Sequence, residues 1–484
     1  MNTDVFNISS LRSKCQGILP LSAYLQPWME NILNSSEIHN WMRQHGSPLN
    51  LIRTEPLVHN IQSLNRIAQQ LEIDFRVYFA RKANKCLSFV DVASEAGAGI
   101  DVASLQELEQ VAQRGISGRN IICTAAIKDE GLLSACVDSE ATIAIDNADE
   151  LHQLSKHLSE SAPPVDIALR LSGFEFNGKR LDSRFGIDIN QLDQFLRSWK
   201  DTLSRPSIRI TGIHFHLDGY SAQQRVAAIS QCLPVTDTLR ELGHPVQFLD
   251  MGGGIPMSYL MDEAQWRSFW DELHHAVLNK RKPITFKNHG LGFLDVQGEI
   301  HGTRSCYPYF QSSVQGEWLR TVLTSNFESS TIADAIRKRN LQLRCEPGRS
   351  VLDGCGMTVA KVVFRKQHPN GEWFVGLSMN STQCRTSSDD FLVDPILVPE
   401  PDALRSDAIE GYLVGAYCTE SELISLRRFQ FPQGVSIGDL IAIPNTAGYF
   451  MHFRESRSHQ FPLATNAVVT SLAPPQISID EIDL

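Results

Sequence analysis

The feature that most constrains the fold is an alternation repeated eight times. Strand candidates fall at 75–80, 99–103, 120–124, 142–146, 166–171, 208–216, 246–250 and 341–345. Each is a short run with β-branched or aromatic residues, bounded by turn formers. Most gaps hold a helical stretch, such as Leu105 to Arg114 closed by Gly115, or Ser221 to Leu242 before Gly243; glycine just past a helix is a common terminator. Eight strands with helices between them is the count of an α/β fold of the (β/α)8, TIM-barrel type, whose interior is a packed core. A doubly wound open sheet is the alternative. Its best dinucleotide fingerprint, Gly97-Ala98-Gly99, precedes a strand instead of joining strand to helix, the wrong side for that motif.

At 484 residues the chain reads as two domains. Residues 1–48 carry short helical patterns with Trp28 and Trp41, end at Gly46-Ser47-Pro48, and are expected to pack on the barrel or on the second domain. Residues 49–349 are assigned to the barrel, with an insertion at about 256–340. That insertion holds an amphipathic helix (Ala264 to Leu278), a loop rich in Gly, His and aromatics (Lys287 to Phe310) and a further helix (Thr331 to Arg339). Long loops of this kind serve as lids or substrate walls, or as peripheral decoration. After Arg349, period-two segments at 357–365, 373–378, 423–429 and 439–443 point to a C-terminal β-domain over 350–484, with a polar tail from Pro474.

The net charge of −11, with no basic run, argues against a nucleic-acid or acidic-membrane partner. Ten cysteines without close pairs or metal-finger spacing read as reduced thiols of a cytosolic protein. The opening MNTDVFNISS lacks a basic start and an apolar core, and no apolar run reaches membrane-spanning length. A cytoplasmic location is the expectation.

Chemistry concentrates at strand ends. Phe75, Val77 and Phe79 alternate with polar neighbours, and the strand stops at Arg81-Lys82-Ala83-Asn84. In a barrel, catalytic groups lie at the C-terminal strand ends, and a partly desolvated lysine there can shed its proton and attack a carbonyl. Lys82 is therefore expected to hold pyridoxal 5'-phosphate as a Schiff base, the alternative being a snorkelling surface lysine. Phosphate sites in barrels are built after strands seven and eight. Here those strands run into Gly252-Gly253-Gly254 and into Glu346-Pro347-Gly348-Arg349, loops that offer backbone N–H groups and a bidentate guanidinium.

Glu346 would pair with the pyridine nitrogen and keep it protonated, or else be an ion-pair partner of Arg349. His214 and His216, two apart on one strand, share a face. They read as an imidazole stacked on a flat cofactor ring or as an HxH metal pair of a barrel hydrolase. Cys418 is either a proton donor or an inert thiol. Histidines at the other strand ends are lacking, so no metal is expected.

Assembled, these residues resemble the fold-type III pyridoxal-phosphate decarboxylases, the group of diaminopimelate, ornithine and arginine decarboxylases with an alanine-racemase-like barrel. The motifs are Ala80-Arg81-Lys82-Ala83-Asn84, Gly99-Ile100-Asp101-Val102-Ala103-Ser104, Arg184-Phe185-Gly186, Gly212-Ile213-His214-Phe215-His216, Gly252-Gly253-Gly254, Glu346-Pro347-Gly348-Arg349, Gly415-Ala416-Tyr417-Cys418, Gly438-Asp439 and Ala447-Gly448-Tyr449. In length, and through Arg385-Thr386-Ser387-Ser388-Asp389-Asp390-Phe391, the chain looks like the Y4yA-like branch of that family.

The resemblance implies that Lys82 binds the cofactor, His216 stacks on it, Glu346 faces its ring nitrogen, and Gly252 to Gly254, Arg349 and Tyr449 hold its phosphate. It implies a homodimer with shared sites, in which Cys418 enters the neighbouring subunit's site and returns a proton after CO2 leaves. Family members that bind a distal amine carry an acid directly after that cysteine; this chain has Thr419, with Glu420 displaced by one, and Gly376 and Leu377 at the other acidic position. An ammonium group loses its partners there. Thr419, Glu420 and Arg385 are the candidate substrate contacts. The usual Gly-Ser after the stacking histidine is also replaced, by Asp218-Gly219.

The expectation is an α-decarboxylase of an L-amino acid or amino-acid conjugate, of the kind made in siderophore or other secondary pathways. The rivals are a racemase of the same fold, a pyridoxal-phosphate carrier protein and a metal-dependent barrel hydrolase.

Overall fold

The computed structural model describes residues 8–158, 163–386, 391–401, 403–404 and 406–484. Eight strands follow one another around a closed ring: β1 (Phe75–Ala80), β2 (Gly99–Val102), β3 (Ile121–Cys123), β4 (Thr142–Ile145), β5 (Val165–Ser172), β6 (Ile208–Phe215), β7 (Phe248–Asp250) and β8 (Gln342–Cys345). Each pairs in parallel with the next, and β8 closes on β1 through Leu343↔Phe75 and Cys345↔Val77. The barrel is thus the eight-strand type that the alternation indicates. Its helices begin where small polar side chains replace the missing backbone acceptors: Ser104, Asp129, Asn147 and Ser221 each accept from the backbone N–H three residues on, a cap worth about 1 kcal/mol apiece.

Two hydrophobic cores run through the chain. The first fills the barrel and its helical shell and includes Trp318, Ile332 and Ile336. The second joins the N-terminal segment (Leu11, Trp28, Trp41), the β-domain and the first part of the insertion (Tyr259, Trp266, Trp270, Tyr307). The insertion is therefore not one body. Its helix Glu263–Val277 packs into the second core, whereas Gln315–Leu323 and Ile332–Lys338 complete the barrel's shell.

The domain boundary at residue 49 needs correction. Leu49–Ile52 pairs antiparallel with Gly356–Gln367 and parallel with Thr465–Leu472, so it is a central strand of the second sheet. All four of its residues are buried, and such a two-sided run reads the same in a barrel as in the middle of a mixed sheet. Two further segments differ from their patterns. Phe429–Phe431, not 423–429, is the strand there, and it pairs with Ile409–Val414. The tail from Pro474 holds a strand, Pro475–Ile479, paired with Thr465–Leu472, and Asp480 accepts from the N–H groups of Leu87 and Ser88. Charge and polarity on an edge strand resemble a loop because half of its side chains face water.

Candidate active site

The C-terminal strand ends gather the chemistry. Lys82 stands in a single 3-10 turn, Arg81–Ala83, directly after β1, and its Nζ lies 2.6 Å from Oδ2 of Asp101 on β2. The hydroxyl of Thr124, just past β3, donates to the other Asp101 oxygen. Burial works against the lysine's charge, but Asp101, Glu346 and Tyr449 together outweigh it and hold the ammonium above its ordinary range. This corrects the expectation of a lysine that sheds its proton by desolvation alone: the counter-charge beside it decides the sign.

The two histidines of β6 part company. His214, inside the strand and fully buried, places Nε2 3.3 Å from Glu346 Oε2 in hydrogen-bonding geometry and 3.2 Å from Oε1, which makes no hydrogen bond. His216 lies past the strand's last residue, Phe215, with its ring edge-on to Phe185 at 6.4 Å and 89°. Residues two apart share a face only while the strand continues, so no HxH ligand pair forms. Among the described residues the one group of closely spaced ligand-type side chains is His214, Asp250 and Glu346, with atoms within 4.8 Å of one another. His216 is not part of it.

Glu346 is not the ion-pair partner of Arg349. Burial, followed by the like charge of Asp101, pushes its carboxyl well above the usual range. Arg349 is instead boxed by aromatic rings. Its Nη1 donates to the Tyr259 hydroxyl at 2.8 Å, and its guanidinium lies 4.3 Å from the Tyr307 ring centre, 5.0 Å from that of Phe450 and 5.1 Å from that of Tyr449. Tyr449 takes a positive φ of 74° and donates its N–H to the carbonyl of Ala83 at 2.8 Å, next to Lys82.

A cavity of about 210 Å³ opens among His216, Asp218, Tyr220, Gly254, Arg349 and Tyr449. A larger hollow, about 440 Å³, lies at the opposite end of the barrel around Ala141, Val165 and Arg209 and gathers no comparable chemistry.

The glycines beside the cavity are enforced by their surroundings. A Cβ on Gly252 (φ +67°) would stand 2.4 Å from the Phe215 carbonyl oxygen, one on Gly253 2.9 Å from that of Glu346, and one on Gly254 (φ +78°) 2.7 Å from that of Gly219. Only bare backbone can line this wall, which suits close approach by an anion.

The barrel site also includes residues to which the sequence reading gave no role. Arg170 on β5 lies over the Phe185 ring at 4.2 Å and reaches Asp146 at 3.3 Å, and Asp146 accepts from the Gly186 N–H at 3.0 Å. Asp101 sat within a quoted motif, and an acid one strand away from a strand-end lysine was the available signal. Tyr259 and Tyr307 lay in the insertion, where the aromatic run before Phe310 was the only hint.

The β-domain candidates are not brought into this cavity. Cys418, Thr419 and Glu420 are exposed, Thr419 Oγ1 lies 3.0 Å from Ser421 Oγ, and Arg385 donates to the Leu423 carbonyl at 2.7 Å. Thr386, next to Arg385, does line the cavity. Ser387-Ser388-Asp389-Asp390 lie outside the described residues. No helix among the described residues is long and apolar enough to cross a membrane.

A closed parallel barrel with a lysine after its first strand, a buried acid after its eighth and a wall of glycines and an arginine between them is an arrangement that fits pyridoxal phosphate. The residues suit that group on two structural counts: the wall excludes side chains, and Glu346 Oε1 is buried without a hydrogen-bond partner. Residues 58–289 match the family model for the pyridoxal-binding domain of pyridoxal-dependent decarboxylases. The chain is 29% identical over 430 residues to the uncharacterized protein y4yA of Sinorhizobium fredii, covering 88% of each. It is 28% identical over 269 residues to a diaminopimelate decarboxylase of Synechocystis, spanning 50% of this chain and 55% of that protein. The crystal structure of diaminopimelate decarboxylase from Helicobacter pylori complexed with L-lysine shares the fold, with a TM-score of 0.66 at 15% identity over 91% of this chain and 95% of that one. By these comparisons the chain is similar to the fold-type III pyridoxal-phosphate-dependent decarboxylases.

Proposed function

We propose that this protein is an α-decarboxylase of an L-amino acid or amino-acid conjugate with a modified or bulky side chain, acting as a homodimer. The observation that carries the reading is the convergence of Lys82, Glu346 and the Gly252–Arg349 wall on one mouth of the barrel. Pyridoxal phosphate, when bound, supplies an electron sink for the carbon that loses its carboxylate. Lys82 Nζ would be the attachment point, and Asp101 Oδ2, 2.6 Å away, holds it at the mouth of the barrel. Glu346 Oε1, buried and unpartnered, would accept the N–H of the pyridine ring. Arg349, Tyr449 and the three glycines would hold the phosphate, and His216 would lie against the ring.

Cys418 is exposed in the single chain, which suits a thiol delivered to the other protomer's site, where Sγ–H returns a proton to the substrate carbon. Substrate choice follows from missing acids. Thr419 follows the cysteine, and Glu422, the buried carboxylate nearby, is occupied by the Ser381 N–H and hydroxyl at 2.7 Å each. A distal ammonium finds no buried counter-charge among these residues, so an uncharged or bulky side chain, as in siderophore-type conjugates, suits this wall better than ornithine, lysine or arginine. Arg385 and Thr419 are its proposed contacts, with Glu420 at the rim.

The test is CO2 release from purified protein supplied with a panel of L-amino acids and conjugates, together with borohydride reduction and peptide mapping. Decarboxylation and a label on Lys82 are expected. Exchange of the substrate's α-proton without CO2 would make the protein a racemase, and a label on another lysine would remove the reading altogether.

A further inference from the structure

Beneath the proposed cofactor face lies a cluster of which the mechanism above uses only Glu346. His214, Asp250 and Glu346 come from β6, β7 and the end of β8, all three buried, with ligand-type atoms within 4.8 Å of one another. His214 Nδ1, Asp250 Oδ2 and Glu346 Oε1 are each buried without a hydrogen-bond partner. Asp250 Oδ1 accepts from the Gly252 N–H at 2.9 Å, and His214 Nε2 lies 3.3 Å from Glu346 Oε2. Three polar side chains seldom lie this deep in a barrel without a task.

We propose that His214 and Asp250 are positioning residues that set the protonation of Glu346 from opposite directions, His214 by donating Nε2–H to its carboxylate and Asp250 by placing a like charge beside it. A donor stabilises the ionised carboxyl and a neighbouring carboxylate destabilises it, so the pair poises Glu346 between acceptor and acid. His214 is suited to the part because burial, reinforced by Arg170, lowers its pKa to about 3; the ring is neutral and has a single N–H to give. Besides burial, the charges that shift Glu346 are Asp101 on β2, Lys82 after β1 and Arg170 on β5; Asp250 is itself raised by the charge of Glu346, and Tyr78 on β1 and Tyr449 of the β-domain feel that charge too. Asp101, Lys82, Arg170 and the two tyrosines are unchanged in the variants below. The inference rests on the proposed function only in giving Glu346 the ring nitrogen as its partner.

The test is an infrared titration of the cofactor-free protein, which reads the carboxylic-acid C=O stretch of Glu346 as the band lost in E346Q. D250N keeps an oxygen for the Gly252 N–H and removes the charge, so the Glu346 midpoint is expected to fall by about one pH unit. H214F removes the donor and is expected to raise it by a similar amount, while H214Q, which still donates but cannot ionise, stays within a few tenths of the parent; these sizes are of the order that single donors and neighbouring charges produce. Shifts of one sign in D250N and H214F, no shift in either, or an H214Q midpoint as far displaced as that of H214F would overturn the proposal.

Should H214F fail to fold, nitrogen-15 NMR of the parent decides: an Nε2–H tautomer at neutral pH is required, and an Nδ1–H tautomer or an imidazolium is fatal. Stoichiometric metal in the purified protein would equally remove the idea. Failure to label Lys82 with borohydride would sink the proposed function and leave the infrared result standing.

Discussion

The Tyr259 hydroxyl accepts a hydrogen bond from Arg349 Nη1 at 2.8 Å, joining the insertion to the loop after β8. Tyr307, from the far side of the same insertion, lies under the guanidinium, and Tyr259 and Tyr307 contact each other edge-on at 5.3 Å. The insertion therefore fixes the direction of this arginine from behind. Hydrogen bonds to charged groups are worth about 1.5–3 kcal/mol, part of which the surrounding rings retain. Tyr259→Phe is expected to weaken pyridoxal-phosphate affinity by about 10-fold while the melting temperature changes little. A fluorescence titration of the cofactor-free variant measures it.

The stability of the cofactor-free protein should show a plateau in mildly acid solution. His214 and His452 are buried with pKa values near 3, lowered chiefly by burial and then by Arg170 and Lys85 respectively. Below about pH 6.5 the unfolded chain takes up protons that these folded histidines refuse, so they remove stability as pH falls. Asp250, raised to about 7 by burial and then by Glu346, and Glu346 itself behave in the opposite sense. They hold protons that the unfolded carboxyls release above about pH 4, so they remove stability as pH rises through their folded values. The two pairs nearly cancel between about pH 4.5 and 6.5, and the loss on the alkaline side belongs to the carboxyls. Urea midpoints measured from pH 4 to 8 should fall above pH 6.5 in the parent and fall less steeply in Glu346→Gln.

The barrel was legible because its signal is long and redundant: eight strand runs, each followed by a turn, leave little freedom for other arrangements. That Lys82, the three glycines and Arg349 come to one end of the barrel was legible because each falls just after a strand. Asp101 was not, because its role depends on the strand beside it, and nothing along the chain says that Asp101 and Lys82 lie 2.6 Å apart. The separation of His214 from His216 was hidden for a related reason. Their shared face follows from period two, and the strand stops between them, at Phe215. Leu49–Ile52 went to the wrong sheet because an apolar run records burial and not its partner.

A shared active site makes a quantitative claim about mixtures. If Lys82 serves one protomer's site and Cys418 the other's, neither Lys82→Ala nor Cys418→Ala homodimers should exceed about one per cent of parent activity, given the barrier that such groups lower. Random exchange of equal amounts makes half of the dimers hybrid. Each hybrid carries one intact site of two, and about a quarter of the parent activity returns. CO2 release after mixing and reassociation measures this. Activity that stays at the level of the separate variants would place Cys418 in its own chain's site or outside the reaction.

Gly252→Ala separates the anion wall from ordinary backbone strain. The added methyl would stand 2.4 Å from the Phe215 carbonyl oxygen, a backbone atom of β6 that cannot swing aside, and φ at +67° costs a non-glycine residue about 1–2 kcal/mol in addition. Gly243, which ends the helix Ala222–Glu241 at φ +92°, meets nothing within 4 Å of its would-be Cβ. Gly243→Ala should therefore lose only the strain, about 1 kcal/mol by urea denaturation, and bind the cofactor as the parent does. Gly252→Ala has to move the loop after β7 away from the end of β6 to be accommodated, which displaces Gly254 and the neighbouring His216. Its cofactor affinity is expected to fall by at least about 10-fold, more than 1.4 kcal/mol. Equal affinities in the two variants would show that this loop does not approach the phosphate.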